Sequence, residues 1–511
     1  DFRPFGPALP DASSITLPNE LTDTARSMFK PHQLEGHRHA CSRSGSLFTW
    51  SPGSGKTLGA FAWLLAHNRP ALFVTTAAAR QHIYAEARQH TAVDVELLTG
   101  ETPPDKIDRG VRIYIITYTI LPAWIEKLRK LKIGSLVLDE VHSEQGSSSP
   151  RRRRKVYRPD GSSAFQDRGN VSSACEKVSR MADRRLGLTA SLVRYGVRDV
   201  WAPCDLVEPG QWGPYGRPSL DGQTRTPGGF SEVYAAGHED DWGGWNTKGR
   251  SNEGELAQRL SVIAHSVPHS VTHAGLPPKR REVVRIKIEE QNTTPDWILK
   301  ELKRSLGRGN PNAFREVKLA EAASRKRVWI AKRAVETLLA GKKVVLFTGR
   351  RRDVEVLWDS VMCGLVDAAG GTEDVDYVPV RRKRDGSTEQ VETAVVKFSS
   401  GLPDVRTWGA HGGDSDDVRY DIACAHLQTN GPALLVATLD SMGESINLQR
   451  SDWFCFAMLP EKPSRVIQGE GRGNRLGQDR ELLCTYPVAL RTYDEHVASA
   501  LLDKLPAVEL V

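Results

Sequence analysis

Three short stretches hold residue types able to move a phosphoryl group. "SPGSGKT", Ser51 to Thr57, lies between the apolar run "SLFTW" and the helical pattern "TLGAFAWLLAHN". Gly53 and Gly55, flanking Ser54, let backbone N–H groups turn toward phosphate oxygens; Lys56 would reach the β and γ phosphates and Thr57 would hold magnesium. Trp50 stands where the longer phosphate-loop pattern has glycine, so the match is to the shorter G-x-G-K-T form. In "SLVLDEVH" an apolar strand ends in Asp139 and Glu140. One carboxylate would hold magnesium through water, and the next would orient and activate an attacking water. The third stretch, "QGEGRGNRLGQDR", runs from Gln468 to Arg480. Read as a helix, it puts Gln468, Arg472 and Arg475 at i, i+4 and i+7, one face with an amide and two guanidiniums.

Each glycine in that stretch costs a helix roughly 1 kcal/mol against alanine. Gly469, Gly471, Gly473 and Gly477 therefore serve something other than helix stability, and the expectation is room for close approach between two lobes. An arginine supplied to the departing γ-phosphoryl group accelerates its transfer by roughly 10³ to 10⁵. ATP is accordingly expected in a cleft between the unit holding Lys56 and Glu140 and the unit holding Arg472 and Arg475.

Such residues need a scaffold of strands and helices. From "HQLEG" to about Ser191, short apolar runs ("SLFTW", "ALFVTT", "IYIITY", "SLVLDE", "LGLTAS") alternate with helical stretches. The alternation resumes after about Val328 with "KKVVLFTGR", "ALLVATLD" and "DWFCFAML". It marks parallel sheets covered by helices, so the fold expected is α/β in two units, called lobes below. The expected bounds are an extension at 1–29, a first lobe at 30–275, a linker and start of the second lobe at 276–325, and the second lobe at 326–511. Between about 205 and 260 the Gly-, Pro- and Trp-rich texture reads as an irregular extension of the first lobe. "SSSPRRRRKVYR" and "VRRKRDGS" are basic inserts, read as solvated loops with nucleic-acid contact as the alternative.

Length and composition set the limits around this. The chain has 511 residues with 39% hydrophobic content, enough for more than one core. A net charge of +7 points modestly to a polyanionic partner. The seven cysteines are scattered without a C-x-x-C pair and read as reduced thiols. His37, His39 and Cys41 alternate in "GHRHAC", but no second pair at zinc spacing follows, so no metal beyond magnesium is expected. Neither a membrane-spanning run nor a signal-peptide pattern is seen, and a cytoplasmic protein is the expectation.

In order along the chain, "PHQLEG", "SPGSGKT", "LDEVH", "LTAS", "VATLDSMGESINLQ" and "QGEGRGNRLGQ" resemble the motifs of superfamily-two helicases. The last two look most like the Swi/Snf-type branch of DNA translocases, and the resemblance implies that the two α/β units are RecA-like lobes with an ATP cleft between them. "HAGLPPKRREVVRI", "AHGGDSDDVRYDIACAHLQ" and "RTYDEHVASALLDK" extend the resemblance from about Lys30 to Lys504. It implies that Gln33 reads the adenine, that Gly53, Ser54, Gly55, Lys56, Thr57 and Gly443 bind the nucleotide, and that Thr57 and Asp139 hold the metal. Glu140, Gln468, Arg472 and Arg475 would act on the γ-phosphate, with His142, Thr189 and Ser191 relaying nucleotide state. Backbone contacts with nucleic acid would come from Thr75, Thr76, Arg80, Thr99, Gly100 and Thr117, from Thr348, Arg350 and Ser441, and from Arg151 and Arg152 in the first insert.

Two positions depart from the branch: "HSVPHSVTHAG" replaces a basic pair, and "MLPEKPSRVIQ" replaces an Asp-x-x-Trp-Asn-Pro-like stretch. With no chromatin-type accessory segments evident, the resemblance implies a compact bacterial or phage DNA translocase, a monomeric motor using ATP and magnesium on double-stranded DNA. Two alternatives stand beside it. One is an RNA or single-strand helicase; the other is an ATP-controlled subunit of a larger defence or packaging complex, docking partners through the Gly/Trp-rich insert.

Overall fold

The computed structural model describes residues 15–142, 153–157, 163–167, 170–190, 192–193, 196–215, 229–239, 245–247, 249–272, 275–287, 300, 311–382, 388–442, 446–461, 463–475 and 477–509. The chain divides into two compact units, Asp1–Ala274 and Gly275–Val511.

The first unit is built on β1 (Gly45–Trp50), β2 (Ala71–Thr75), β3 (Val95–Leu97), β4 (Ile113–Thr117) and β5 (Ser135–Leu138). A hairpin of β6 (Arg153–Tyr157) and β7 (Ser163–Asp167) follows, then β8 (Arg184–Leu188), the short pair β9 (His238–Glu239) and β10 (Trp245–Asn246), and β11 (Ala264–Val267). Seven of these strands form a sheet in the order β11-β1-β8-β5-β2-β4-β3, with every pairing parallel.

A parallel sheet is covered on both faces, so its strands read as unbroken apolar runs. On β2, Leu72 and Val74 join one core with Trp124 and Leu128 of the helix Leu121–Leu131. Ala71 and Phe73 join the opposite core with Phe61 and Leu64 of the helix Lys56–Leu65. Each fully buried side chain of this size contributes about 1.5–3 kcal/mol of transfer free energy.

The second unit carries β12 (Lys279–Ile286), β13 (Lys343–Thr348), β14 (Gly371–Arg382), β15 (Thr388–Phe398), β16 (Val405–Ala410), β17 (Ala433–Thr438), β18 (Trp453–Phe456) and β19 (Leu482–Ala489). Their order is β12-β19-β18-β13-β17-β16-β15-β14. The first six are parallel, whereas β14 and β15 form an antiparallel hairpin at one edge. This sheet is thus mostly parallel, a refinement of the all-parallel expectation. Val345 and Phe347 of β13 face one core, and Val344 and Leu346 the other.

In three stretches read as loops or irregular chain, the described residues form regular elements. The run of arginines enters the hairpin β6–β7, and "VRRKRDGS" begins on β14. The Gly/Trp-rich extension also forms structure, with helices Trp201–Val207 and Phe230–Tyr234. There Trp212, Phe230 and Tyr234 are buried in the first unit's core, Arg259 stacks over the Trp212 ring at 4.3 Å, and Trp245 Nε1 donates to Ser231 Oγ at 3.1 Å. These described aromatics brace the first unit from inside. Among the described residues, no helix is long and apolar enough to cross a membrane.

Candidate active site

Strand direction gathers the first unit's motifs. In a parallel sheet all C-terminal strand ends share one edge, where ligands of open α/β sheets bind. "SPGSGKT" follows β1, Thr75 ends β2, Thr99 and Gly100 follow β3, Thr117 ends β4, Asp139 and Glu140 follow β5, and Thr189 follows β8. Because β8 separates β1 from β5, the phosphate loop and the acidic pair are two strand spacings apart, about 10 Å.

Gly53 and Gly55 take left-handed backbone angles, φ 77° and 82°, which glycine adopts without a Cβ penalty. Gly55 caps the helix Lys56–Leu65, and Thr57 lies in its first turn, partly exposed. The Lys56 ammonium folds over the loop, donating to the carbonyls of Trp50 (2.8 Å) and Ser51 (3.2 Å). Gln33, expected at the adenine, grips the loop. Its Nε2 donates to the carbonyls of Ser54 (3.1 Å) and Gly55 (3.2 Å), while its Oε1 accepts from the Lys30 amide at 2.8 Å. His32 adds a ring-nitrogen contact to the Ser54 carbonyl at 3.2 Å.

Trp50 explains why the loop lacks its first glycine. Fully buried, its ring stacks on Phe48 with centroids 4.2 Å apart, and its Nε1 donates to His265 Nδ1 at 2.9 Å. A Cβ at Gly36 would come within 2.2 Å of that ring. The indole braces the base of the loop, and the left-handed turns fall to Gly53 and Gly55.

Across β8, Asp139 Oδ2 accepts from Thr75 Oγ1 at 2.8 Å, and its carbonyl accepts from the buried Tyr118 hydroxyl at 2.7 Å. Burial and the nearby Cys175, Asp139 and Glu140 push the Tyr118 phenol well above its ordinary pKa, so it stays a donor. Glu140 sits at φ 47°, a left-handed angle costing a non-glycine residue about 1–2 kcal/mol. It turns the carboxylate back to His142 Nδ1, 3.3 Å away, and that nitrogen also lies 2.5 Å from Thr189 Oγ1. His142 therefore links the acidic pair at β5 to the end of β8.

The nucleic-acid expectations separate by exposure. Thr99 and Gly100 are exposed at the sheet edge, and Thr76 and Arg80 are partly so. Thr75 and Thr117 are buried, one bonded to Asp139 and the other to Thr119 Oγ1 at 2.9 Å, so in this conformation they serve the site's interior. Thr348 and Ser441 in the second unit are buried too, Ser441 Oγ donating to the Thr438 carbonyl at 2.8 Å. Arg350 is partly exposed and pairs with Asp353 at 3.3 Å. Arg151, Arg152, Ser191 and Gly443 lie outside the described residues.

The third motif departs from expectation. The helix Pro463–Glu470 carries Gln468 but ends before the arginines, so Gln468, Arg472 and Arg475 share no helical face. The chain instead folds into a tight turn, with the amides of Gly473 (3.1 Å) and Asn474 (2.9 Å) donating to the Glu470 carbonyl. The glycines have a local cause. A Cβ at Gly469 would meet Phe456 at 2.9 Å, and one at Gly473 would meet Phe454 at 2.7 Å, both on β18 of the same unit. They admit the turn onto its own sheet, which replaces the expectation of room between lobes.

Arg472 is buried over the Phe347 ring, 5.7 Å from its centroid, and donates to the Leu439 carbonyl at 3.0 Å. Arg475 donates to Asn447 Oδ1. Glu470, which motif reading passed over, is 1% exposed and gathers Lys279, Arg281 and Tyr486. No signal local to "QGEGRGNR" could have found it, because Lys279 and Arg281 lie far away in sequence and reach Glu470 only through the pairing of β12 with β19.

His37 and Cys41 are also ordinary core groups. They lie one helical turn apart, Sγ 3.7 Å from the ring nitrogen, and burial drives the imidazole down to about 4 and the thiol up to about 12.

A scan against protein-family models finds no match to the chain. It is 22% identical over 520 residues to the SWI/SNF-related matrix-associated actin-dependent regulator of chromatin subfamily A-like protein 1 of Drosophila melanogaster, covering 98% of this chain and 57% of that protein. The chain thus spans a little over half the length of this relative. The Swi/Snf-type, superfamily-two resemblance of the motifs is matched by similarity along nearly the whole sequence. Among solved structures, the helicase Lhr of Mycobacterium smegmatis, bound to ssDNA and AMP-PNP, aligns with a TM-score of 0.50 at 14% identity, over 96% of this chain and 50% of that one. The SWI2/SNF2 ATPase core of Sulfolobus solfataricus in complex with dsDNA aligns with a TM-score of 0.39 at 14% identity, over 94% and 90%. The likeness to Lhr shows the shared α/β fold.

Proposed function

We propose that the chain is a DNA-dependent ATPase that turns ATP hydrolysis into movement along DNA, with the duplex as its track. The observation that carries this is the row of groups on three neighbouring strand ends: the glycine-shaped phosphate loop after β1, Thr189 and its His142 link after β8, and Asp139–Glu140 after β5. A loop that cradles phosphates beside a carboxylate held by its own histidine is arranged for hydrolysis as well as binding.

In this reading the Lys56 ammonium leaves the carbonyls of Trp50 and Ser51 for the β and γ phosphates. The amides around Gly53 and Gly55 bind phosphate oxygens, aided by the positive end of the helix that starts at Lys56. The Thr57 hydroxyl and Asp139 carboxylate offer the oxygen donors that magnesium prefers, and the ion would neutralise charge on the phosphates. Glu140 orients the attacking water and takes its proton, and His142 is placed to pass the loss or gain of the γ-phosphate to Thr189. Arg472 and Arg475 stabilise charge on the departing phosphoryl group. Thr99, Gly100, Thr76, Arg80 and Arg350 meet backbone phosphates, which positions the motor without reading sequence.

Displacement of a third strand from a DNA triplex tests movement as distinct from switching. The proposal expects displacement that needs ATP and disappears in Lys56→Ala. A third strand left in place while ATP is consumed would contradict translocation.

A further inference from the structure

Glu470 ends the helix Pro463–Glu470 and works in two directions. Its side chain uses both carboxylate oxygens fully: Oε1 accepts from Arg281 Nε (2.6 Å) and the Tyr486 hydroxyl (2.7 Å), and Oε2 from Lys279 Nζ (2.7 Å) and Arg281 Nη2 (2.6 Å). Those partners stand on β12 and β19, strands paired in register with Arg281 opposite Cys484 and Val283 opposite Tyr486. Its main-chain carbonyl meanwhile accepts the two amides that close the turn at Gly473 and Asn474.

That turn is poor in means to hold itself. Gly471 and Gly473 supply no side chains, and glycine loses more conformational freedom on ordering than other residues. Yet two residues beyond Glu470 lies Arg472, which donates to the Leu439 carbonyl, and five beyond lies Arg475, which donates to Asn447 Oδ1. Burial would raise the Glu470 carboxyl, but Arg281 and Lys279 outweigh it and hold the pKa below the ordinary value, so the anchor is charged. A buried ion cluster is a weak source of net stability compared with apolar packing, but it fixes geometry closely.

We propose that Glu470, with Lys279, Arg281 and Tyr486, is a positioning cluster that sets where Arg472 and Arg475 stand and thereby sets the turnover of ATP. It touches no phosphate itself. The inference rests on the ATPase reading given above.

Steady-state ATP hydrolysis with duplex DNA, alongside affinity for a fluorescent ATP analogue and thermal melting, tests it in Glu470→Gln, Tyr486→Phe and Arg475→Lys, and in the Glu470→Gln and Arg475→Lys pair. Glu470→Gln is expected to lower kcat by about tenfold or more with KM for ATP and analogue affinity within about threefold, and Tyr486→Phe to lower kcat a few-fold. In the Arg475→Lys background, Glu470→Gln should cost less than in the unmodified chain, since part of its effect passes through the Arg475 guanidinium. Unchanged kcat in a folded Glu470→Gln protein, or losses that multiply independently in the pair, would overturn the proposal. Should Glu470→Gln fail to fold, Tyr486→Phe, which removes one hydroxyl without emptying the site, decides by the same pairing with Arg475→Lys. An unmodified chain that hydrolyses no ATP would sink the underlying reading as well, and it is recognisable before any variant is made.

Discussion

The two units hold their reactive side chains by different means. In the first, the groups hang directly from strand ends: the loop from β1, Asp139 and Glu140 from β5, Thr189 from β8. In the second, Arg472 and Arg475 lie in a turn beyond a helix, and what fixes them comes from elsewhere in that unit, through Glu470 and through the pocket that glycine leaves for Phe454. A strand end places its next residue automatically, whereas a glycine turn must be placed by tertiary contacts. The first unit should therefore be sensitive at the chemistry itself, and the second at residues that never meet the substrate.

The largest effect is expected at Glu140. Glu140→Gln keeps the shape and removes the base, so ATP hydrolysis should fall by about 10² to 10⁴ while nucleotide affinity persists. Single-turnover kinetics check this, and hydrolysis near the wild-type rate would break the assignment of the first unit as the chemical one.

Next is Trp50→Gly, which restores the longer phosphate-loop pattern. If the indole is a brace, the substitution empties a fully buried site and costs about 3–5 kcal/mol, read by urea unfolding. A protein of unchanged stability would mean that the loop is held without its Trp50 base.

Acid should separate the units. Burial, the largest cause for each, drives His37, His39 and His67 of the first unit down to about 4, and lowers His90 and His265 as well. Among the described residues of the second unit, burial and then Lys343 lower His426 well below its ordinary value. With folded pKa values below the unfolded value near 6.5, the unfolded chain binds more protons between about 4 and 6.5, so stability falls as pH falls through that window. At pH 5 the buried His37 alone should remove about 2 kcal/mol. Glu470 has the opposite timing. Its depressed pKa contributes stability above the unfolded value near 4.5 that is lost only as pH falls below it. Hydrogen exchange resolved by peptide, corrected for intrinsic rates, should show the first unit loosening more between pH 7 and 5; equal loosening would blur the comparison.

The smallest effect belongs to Gly473→Ala. The added methyl meets Phe454, and overpacking of this kind costs about 1–3 kcal/mol. A neutral result in thermal melting would return that glycine to its sequence-level role as room for another surface.

This contrast also marks what could be read from residues alone. The apolar runs of β1, β2, β4, β5, β8, β13, β17 and β18 were legible because strands buried on both faces are continuous in sequence. The phosphate loop and the acidic pair followed, since a strand, a turn and a helix start are local events. The face shared by Gln468, Arg472 and Arg475 was not there to be read. Spacing fits a helix, but nothing local says that Phe454 and Phe456 occupy the ground the glycines vacate. Gln33 was visible as a motif residue, yet its grip on the Ser54 and Gly55 carbonyls depends on packing two helices against β1. Short β3 and exposed β12 were missed because neither has a long apolar run, and in "DDWGGWNTKGR", where docking and an internal brace were both open readings, Trp245 donates to Ser231 of the same unit.

The central claim, that these strand ends and this turn make a nucleic-acid motor, is tested most directly by ATP hydrolysis of the purified chain with duplex DNA, single-stranded DNA and RNA compared side by side. Strong stimulation by duplex DNA, above the other two and lost in Lys56→Ala, is the predicted result. Hydrolysis indifferent to every nucleic acid would contradict it.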